Sequence, residues 1–285
     1  QTNMKKSAVI ATKRASSNIL DGSYVSVFKG HSLNFEDLRE YVPGDDIKDI
    51  DWKATARSRT TLVREYVAEK KHNIMFVMDT NKRMLGYSEK LVEKREVSIF
   101  AAGTLAYLVS HNGDFVSATF ATEKSLDHYP FKSGLMNVEK FLEAYYKSCN
   151  SKNNSDINKP LDYIMRNFRR RMIIVIVTDM KGMMSITEQT LKRLRVLHDV
   201  IVINVSDTDA SGKNVFDVES NNVIPEFFTK SKRLLRKEQE KRMQIKAECD
   251  TKLKRVGITT ATFDTTEKID IKLTELLSKH KMEMR

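Results

Sequence analysis

The run Met172-Ile173-Ile174-Val175-Ile176-Val177 carries no polar residue and ends at Thr178-Asp179. A strand with one face in water alternates apolar and polar side chains. An unbroken apolar run of strand length therefore belongs to a strand covered on both faces, at the centre of a sheet layered between helices. It is far shorter than the roughly 20 residues needed to cross a bilayer as a helix. A second run, Asn73-Ile74-Met75-Phe76-Val77-Met78, has the same character and stops at Asp79.

Around these two strands the periods of 2 and 3.6 residues take turns. Strands are predicted over 24–28, 60–67, 115–120, 126–131, 200–205 and 258–263, with a hairpin near 216–219. Helices are predicted over 4–20, 35–41, 89–110, 138–146, 161–168, 187–198, 229–256 and 268–280, and the Asn-, Ser- and Lys-rich stretch 148–159 reads as an exposed polar loop. Strands alternating with helices imply an α/β fold, a Rossmann-like, doubly wound and mostly parallel sheet. It occupies 71–285, with an N-terminal helical and β extension, 1–70, packed on it. In such sheets ligands bind beyond the carboxyl ends of the strands, where the strand order reverses. With the Rossmann-type order the strands ending at Asp79 and Asp179 are neighbours there, and both carboxylates face one crevice.

The least generic stretch lies in the extension. It reads Arg39-Glu40-Tyr41, then Pro43-Gly44-Asp45-Asp46, then Ile50-Asp51-Trp52-Lys53-Ala54-Thr55-Ala56-Arg57, and it holds the only tryptophan of the chain. The expectation is a segment folded against a neighbour, with the indole as apolar anchor. Asp45, Asp46, Asp49 and Asp51 would pair with the nearby cations in a structural network rather than act as a catalytic pair. The stretch resembles the hallmark of the DUF58 proteins. That resemblance implies an N-terminal extension joined to a von Willebrand factor A-like domain, and partnership with MoxR-type AAA+ ATPases and other von Willebrand A proteins. It gives an architecture more than a reaction.

Resemblance to von Willebrand A domains also implies a metal-ion-dependent adhesion site in the crevice, written Asp-x-Ser-x-Ser plus a Thr and an Asp from later loops. Here the first motif stands as Asp79-Thr80-Asn81-Lys82-Arg83. Asp79 matches, Asn81 replaces one serine and Arg83 the other. Thr178-Asp179 resembles the last loop, and Phe131-Lys132-Ser133-Gly134-Leu135 offers no threonine to match the middle one. Asp79, Asn81 and Asp179 are thus the candidate ligands for Mg²⁺, which takes oxygen donors. Arg83 has donors only. A guanidinium about 5 Å from a divalent ion, at an effective dielectric near 20, is repelled by roughly 6 to 7 kcal/mol. The expectation is that Arg83 replaces the metal and pairs with Asp79 and Asp179, that no cofactor is held, and that a partner's carboxylate docks at the crevice through Arg83.

Charge enters through its placement. The formal net charge is +11, and 229–256 alone holds eleven Lys and Arg against four Asp and Glu. This basic helix reads as a solvated face, with an acidic protein or an anionic membrane surface as its alternative partners. Nucleic acid is disfavoured because no aromatic residues interleave the basic ones. The six histidines are scattered and read as solvated, and neither a phosphate-binding loop nor Gly-x-Gly-x-x-Gly is present. Two cysteines, Cys149 and Cys249, give no disulfide framework and fit a reducing cytosol. The chain opens on Gln1 rather than Met, as a fragment or processed chain would. The resulting expectation is a cytoplasmic, non-catalytic adaptor, with a peripheral place at the inner membrane as a variant. A divalent-metal hydrolase at Asp79 and Asp179 and a basic membrane-surface or nucleic-acid binder are the competing readings.

Overall fold

The computed structural model describes residues 18–29, 36–66, 71–208, 216–217, 222–223 and 232–283. The extension has two parts. Helix α1 (Asn18–Tyr24) runs into a π-helical turn, Val25–Lys29. A separate small unit follows, in which β1 (Glu36–Glu40) pairs antiparallel with β2 (Leu62–Tyr66). Between these strands lie a 3₁₀ turn, Ile47–Asp49, and helix α2 (Trp52–Ser58).

The wound domain contains β3 (Asn73–Met78), a 3₁₀ turn Lys82–Leu85, α3 (Lys94–His111), β4 (Phe115–Ala121), β5 (Leu126–Lys132), α4 (Leu135–Ser148), α5 (Asn158–Asn167) and β6 (Ile173–Asp179). It continues through α6 (Met180–Ser185), α7 (Glu188–Leu197), β7 (Asp199–Val205), the short pair β8 (Phe216–Asp217) and β9 (Asn222–Val223), α8 (Lys232–Val256), β10 (Thr259–Phe263) and α9 (Ile269–Glu283). The main sheet has the order β10-β7-β6-β3-β4-β5, parallel throughout except for β5. Counted from β3, this is the doubly wound order 3-2-1-4-5-6. β3 and β6 are adjacent, in register from Ile74 opposite Ile173 to Met78 opposite Val177.

Both faces of that central pair are covered, which explains the unbroken apolar runs. Ile74, Phe76 and Met78 point into a core shared with α1, α3, α4 and α9. Met75 and Val77 point into a second core with α5, α6, α7 and α8. Small residues on α3, Ala101, Ala102, Gly103 and Ala106, are all buried, so this helix lies close against the sheet. Among the described residues no helix is long and apolar enough to cross a membrane.

Several expectations are corrected. Residues 24–28 are helical rather than a strand, because Leu20, Tyr24 and Val27 are buried at helical spacing in the core they share with α3 and α9. The Tyr24 hydroxyl donates to Asp114 at 2.5 Å and Lys29 Nζ to the Asn112 carbonyl at 2.7 Å, tying this helix to the domain. The helical turn expected at 35–41 is β1, drawn into a hairpin by β2. Among the described residues of the extension, α1 and the π-helical turn pack on the domain as expected, whereas the hairpin unit packs chiefly on itself. Stretch 148–159 is irregular only over 149–157, between α4 and α5, and is not uniformly exposed, since Asn153, Ser155 and Ile157 are buried. His198 and His280 are buried as well, at the β7 and β10 end of the sheet, rather than solvated. The helix expected over 4–20 lies largely outside the described residues, as do parts of the 216–219 hairpin and the start of the 229–256 helix.

Candidate functional site

Asp79 follows the last residue of β3 and Asp179 is the last residue of β6, so the sheet sets both carboxylates at one end of its central pair. Both are buried. One oxygen of Asp79, Oδ1, accepts the Asn81 N–H at 2.9 Å; Oδ2 accepts the Thr178 hydroxyl at 2.7 Å and Arg83 Nη2 at 3.0 Å. Asp179 Oδ1 accepts the Gly182 N–H at 2.8 Å, capping α6. Its Oδ2 accepts Lys94 Nζ at 2.8 Å, and Arg83 Nε sits across the carboxylate at 3.3 and 3.4 Å. The sequence-predicted group Asp79, Asn81, Arg83 and Asp179 is therefore brought together, with Arg83 bridging the two aspartates.

Four contributors were not foreseen. Lys94, whose side chain is 4% exposed, reaches Asp179 from the first turn of α3 and also binds Asp207 beyond β7. Positions 94, 98, 102, 105 and 109 share one helical face and are all buried, so the lysine stands in register with the apolar stripe, which is the signal that could have found it. Gly182 is needed for close approach. A Cβ there would stand 2.0 Å from Thr178 Oγ1 and 2.5 Å from Asp79 Oδ2. The third contributor is the 149–157 stretch. Ser155 Oγ meets Thr80 Oγ1 at 2.8 Å, its carbonyl accepts Asn81 Nδ2 at 2.9 Å, and the Asn153 carbonyl accepts the Lys82 N–H at 2.7 Å. Fourth, the Tyr145 hydroxyl of α4 donates to the Asp79 carbonyl at 3.0 Å and pins the loop from beneath.

The electrostatics follow from burial set against these partners. Burial pushes the Asp179 carboxyl up, but Lys94 and then Arg83 outweigh it and hold it at about 2. Asp79 goes the other way, pushed up by burial and by the neighbouring Asp179 more than Arg83 lowers it. Burial alone would lower the Lys94 ammonium, yet Asp179 and Asp207 reverse this and hold it above its ordinary value. Three carboxylates meet two cations, and of Asp79 and Asp179 it is Asp79 that is more ready to take a proton.

A divalent ion here would need oxygen lone pairs in near-octahedral array. Asn81 Oδ1 already accepts the Arg83 N–H at 3.1 Å, and its amide nitrogen is spent on Ser155. The guanidinium and the ammonium occupy the carboxylate edges a metal would take. As arranged, this donor set does not fit the ion that the resemblance implies. Among the described residues no group of three or more His, Cys, Asp and Glu is placed to hold a metal. A partner's carboxylate would meet an Arg83 side chain only 18% exposed, with Nε and Nη2 already engaged.

None of the crevice contacts above comes from the hallmark stretch. There Arg39 grips Asp45 through two hydrogen bonds of 2.6 and 2.7 Å, and Asp45 also accepts the Val42 N–H. Asp46 caps the 3₁₀ turn, Asp51 caps α2 by accepting the Lys53 and Ala54 N–H groups, and Pro43-Gly44 makes the turn with Gly44 at φ 118°. The pairing expected of Asp45 is found, while Asp46 and Asp51 act as helix caps. The indole does not anchor the segment, since Trp52 is 66% exposed. Glu40, Tyr41, Lys53 and Arg57 are exposed too.

The family model described as "Protein of unknown function DUF58" matches residues 37–247, well over half of the chain. Relatives include the uncharacterized proteins Mb1516 of Mycobacterium bovis and Rv1480 of Mycobacterium tuberculosis. Each is 26% identical over 200 residues, covering 70% of this chain and 62% of its own length. The chain thus spans less than two thirds of these relatives. Among solved structures, a von Willebrand factor type A protein from Catenulispora acidiphila aligns with a TM-score of 0.40 at 8% identity, covering 78% of this chain and 44% of that one. The SpRpn10 VWA domain aligns with a TM-score of 0.34 at 12% identity, covering 50% and 78%.

Proposed function

The chain belongs to the DUF58 family, and on that premise we propose that it is a non-catalytic protein-interaction module whose crevice is a degenerate metal-ion-dependent adhesion site, closed by its own cations. The observation that carries this reading is the joint hold of Arg83 and Lys94 on Asp79 and Asp179. A buried cation pair fills the electrostatic role of a divalent ion without leaving a coordination position for substrate or water. Metal-assisted hydrolysis requires such a position, and an adaptor does not.

The partner class in this proposal is a MoxR-type AAA+ ATPase, which the family resemblance suggests, with other von Willebrand A proteins as co-assembling members. The work would be assembly or maturation of larger complexes. The free thiols of Cys149 and Cys249, both buried, suit a cytoplasmic setting.

Calorimetric titration with Mn²⁺ and Mg²⁺ tests the closed crevice, and co-purification with the MoxR-type ATPase of the same cell tests the partner. No micromolar metal binding is expected in the wild type. Micromolar binding that disappears in Asp79→Ala would refute the closed site, and failure of the ATPase to co-purify would remove that partner.

A further inference from the structure

Among the described side chains of the hairpin unit, residues 38–63, Val63 is the one large apolar side chain that is buried. The backbone of the unit is fixed by the Arg39–Asp45 pair, by Asp46 and Asp51 as caps, and by Thr55 Oγ1, which accepts the Leu62 N–H at 2.9 Å. Val63 is buried at 3%, while Trp52 and Ile47 are each 66% exposed and Val42 is 56% exposed. Trp, Tyr and Arg on a surface fixed in advance are the residue types that dominate binding energy at protein interfaces, and a surface that needs no ordering loses little entropy on docking.

The charges say what kind of partner fits. Ala54 and Thr55 of α2 are turned partly inward, leaving Trp52, Lys53, Ala56 and Arg57 outward. Lys53 and Arg57 stand one turn apart, and neither makes an ion pair among the described residues. Like charges at this spacing work against the helix. Asp45, Asp46 and Asp51 are already engaged by Arg39 and by backbone N–H groups, so they do not answer the two cations. A second copy of the chain is a poor answer, since each carries a net charge of +11 and presents the basic first half of α8. An anionic membrane is also a poor one. Asp46 and Asp49 bracket Ile47 and Lys48, and Asp51 precedes Trp52, so insertion would carry carboxylates into the phosphate layer.

We propose that the outward face of α2 and the adjoining 3₁₀ turn, centred on Trp52, is a docking surface for a protein segment that carries carboxylates beside a large apolar side chain. The apolar group covers Trp52 and Ala56, and the carboxylates pair with Lys53 and Arg57. This surface stands apart from the crevice and does not depend on whether Arg83 replaces a metal.

Photo-crosslinking in the native cell tests it, with p-benzoylphenylalanine at position 56 of the full chain and, as control, at Val196, which is 83% exposed. The expected result is a protein adduct specific to position 56, whose crosslinked peptide carries Asp or Glu beside apolar residues. Its yield should fall roughly tenfold or more in Trp52→Ala, as for a hot-spot residue, and likewise in the double variant Lys53→Glu, Arg57→Glu. It should be unchanged in Arg83→Met, which separates this surface from the crevice. Circular dichroism checks that each variant is folded. A lipid adduct, an adduct to a second copy, a crosslinked peptide without acidic residues, or a yield no higher than at Val196 overturns the proposal.

Discussion

Asp179 and Asp45 hold their carboxyl groups at the same level, about 2, by different means. Asp179 is buried at the sheet's end, where burial works against it and Lys94 and Arg83 overcome that. Asp45 sits on the hairpin unit, lowered by its hydrogen bonds with Arg39 and then by the Val42 N–H. In the crevice, ion pairing engages both buried aspartates with cations of the same chain. In the hairpin unit, ion pairing and capping shape a loop and leave the apolar side chains outside. The same chemistry therefore turns charged groups inward in one place and leaves a presented face in the other, and the two should respond differently to mutation.

The largest contrast is expected from Lys94→Ala, which takes the shorter of its two cation contacts from buried Asp179 and leaves half-buried Asp207 without its lysine. Removing one partner of a buried pair costs roughly 3–5 kcal/mol, visible as a lower denaturant midpoint. Next comes Gly182→Ala, whose methyl group would overlap Thr178 and Asp79. Overpacking of this kind costs roughly 1–3 kcal/mol, again read by chemical denaturation. In the hairpin unit Asp51→Ala removes the cap of α2 and costs about 1 kcal/mol locally, seen as faster amide exchange at Lys53 and Ala54. Trp52→Ala should change stability by no more than about 0.5 kcal/mol, as for an exposed site. A cost for Trp52→Ala equal to that of Lys94→Ala would break the comparison.

Salt and pH sharpen it. Both carboxyls are depressed on folding, so each contributes stability above its unfolded value, near 3.9, and that contribution is lost as pH falls toward 2. Asp79 has the opposite sign. Its raised carboxyl opposes folding as pH rises from the unfolded value through the folded one. High salt should screen the half-buried Arg39–Asp45 pair more than the buried contacts of Asp179. Carbon-detected titration in low and high salt should show Asp45 moving up toward the ordinary carboxylate range while Asp179 stays near 2.

Much of the crevice was legible in the sequence because sheet periodicity places strand ends without ambiguity. Two unbroken apolar runs, each followed by an aspartate, predicted neighbouring strands and a shared cleft once the Rossmann-type strand order was assumed, and the von Willebrand A resemblance, with Arg83 at a ligand position, pointed to a cation between them. Lys94 was hidden inside a helical stripe that was read only for its apolar members. The 149–157 stretch was hidden by its polarity, since Asn and Ser look alike whether they face water or satisfy Thr80 and Asn81. The extension was legible as a motif and illegible as a structure. Whether residues 24–28 form a strand or a helix is decided by α9 and Asp114, both far along the chain. A tryptophan reads as core from sequence alone, and only the hairpin's internal hydrogen bonds explain how the unit can leave it outside.

The central claim is that the crevice is closed by its own cations. It is tested most directly by a crystal grown in millimolar manganese, with anomalous differences recorded at the manganese edge. The account predicts no anomalous peak between Asp79 and Asp179, with Arg83 still bridging both carboxylates and Lys94 still on Asp179. A six-coordinate peak between those aspartates, with the guanidinium swung out to solvent, would contradict it.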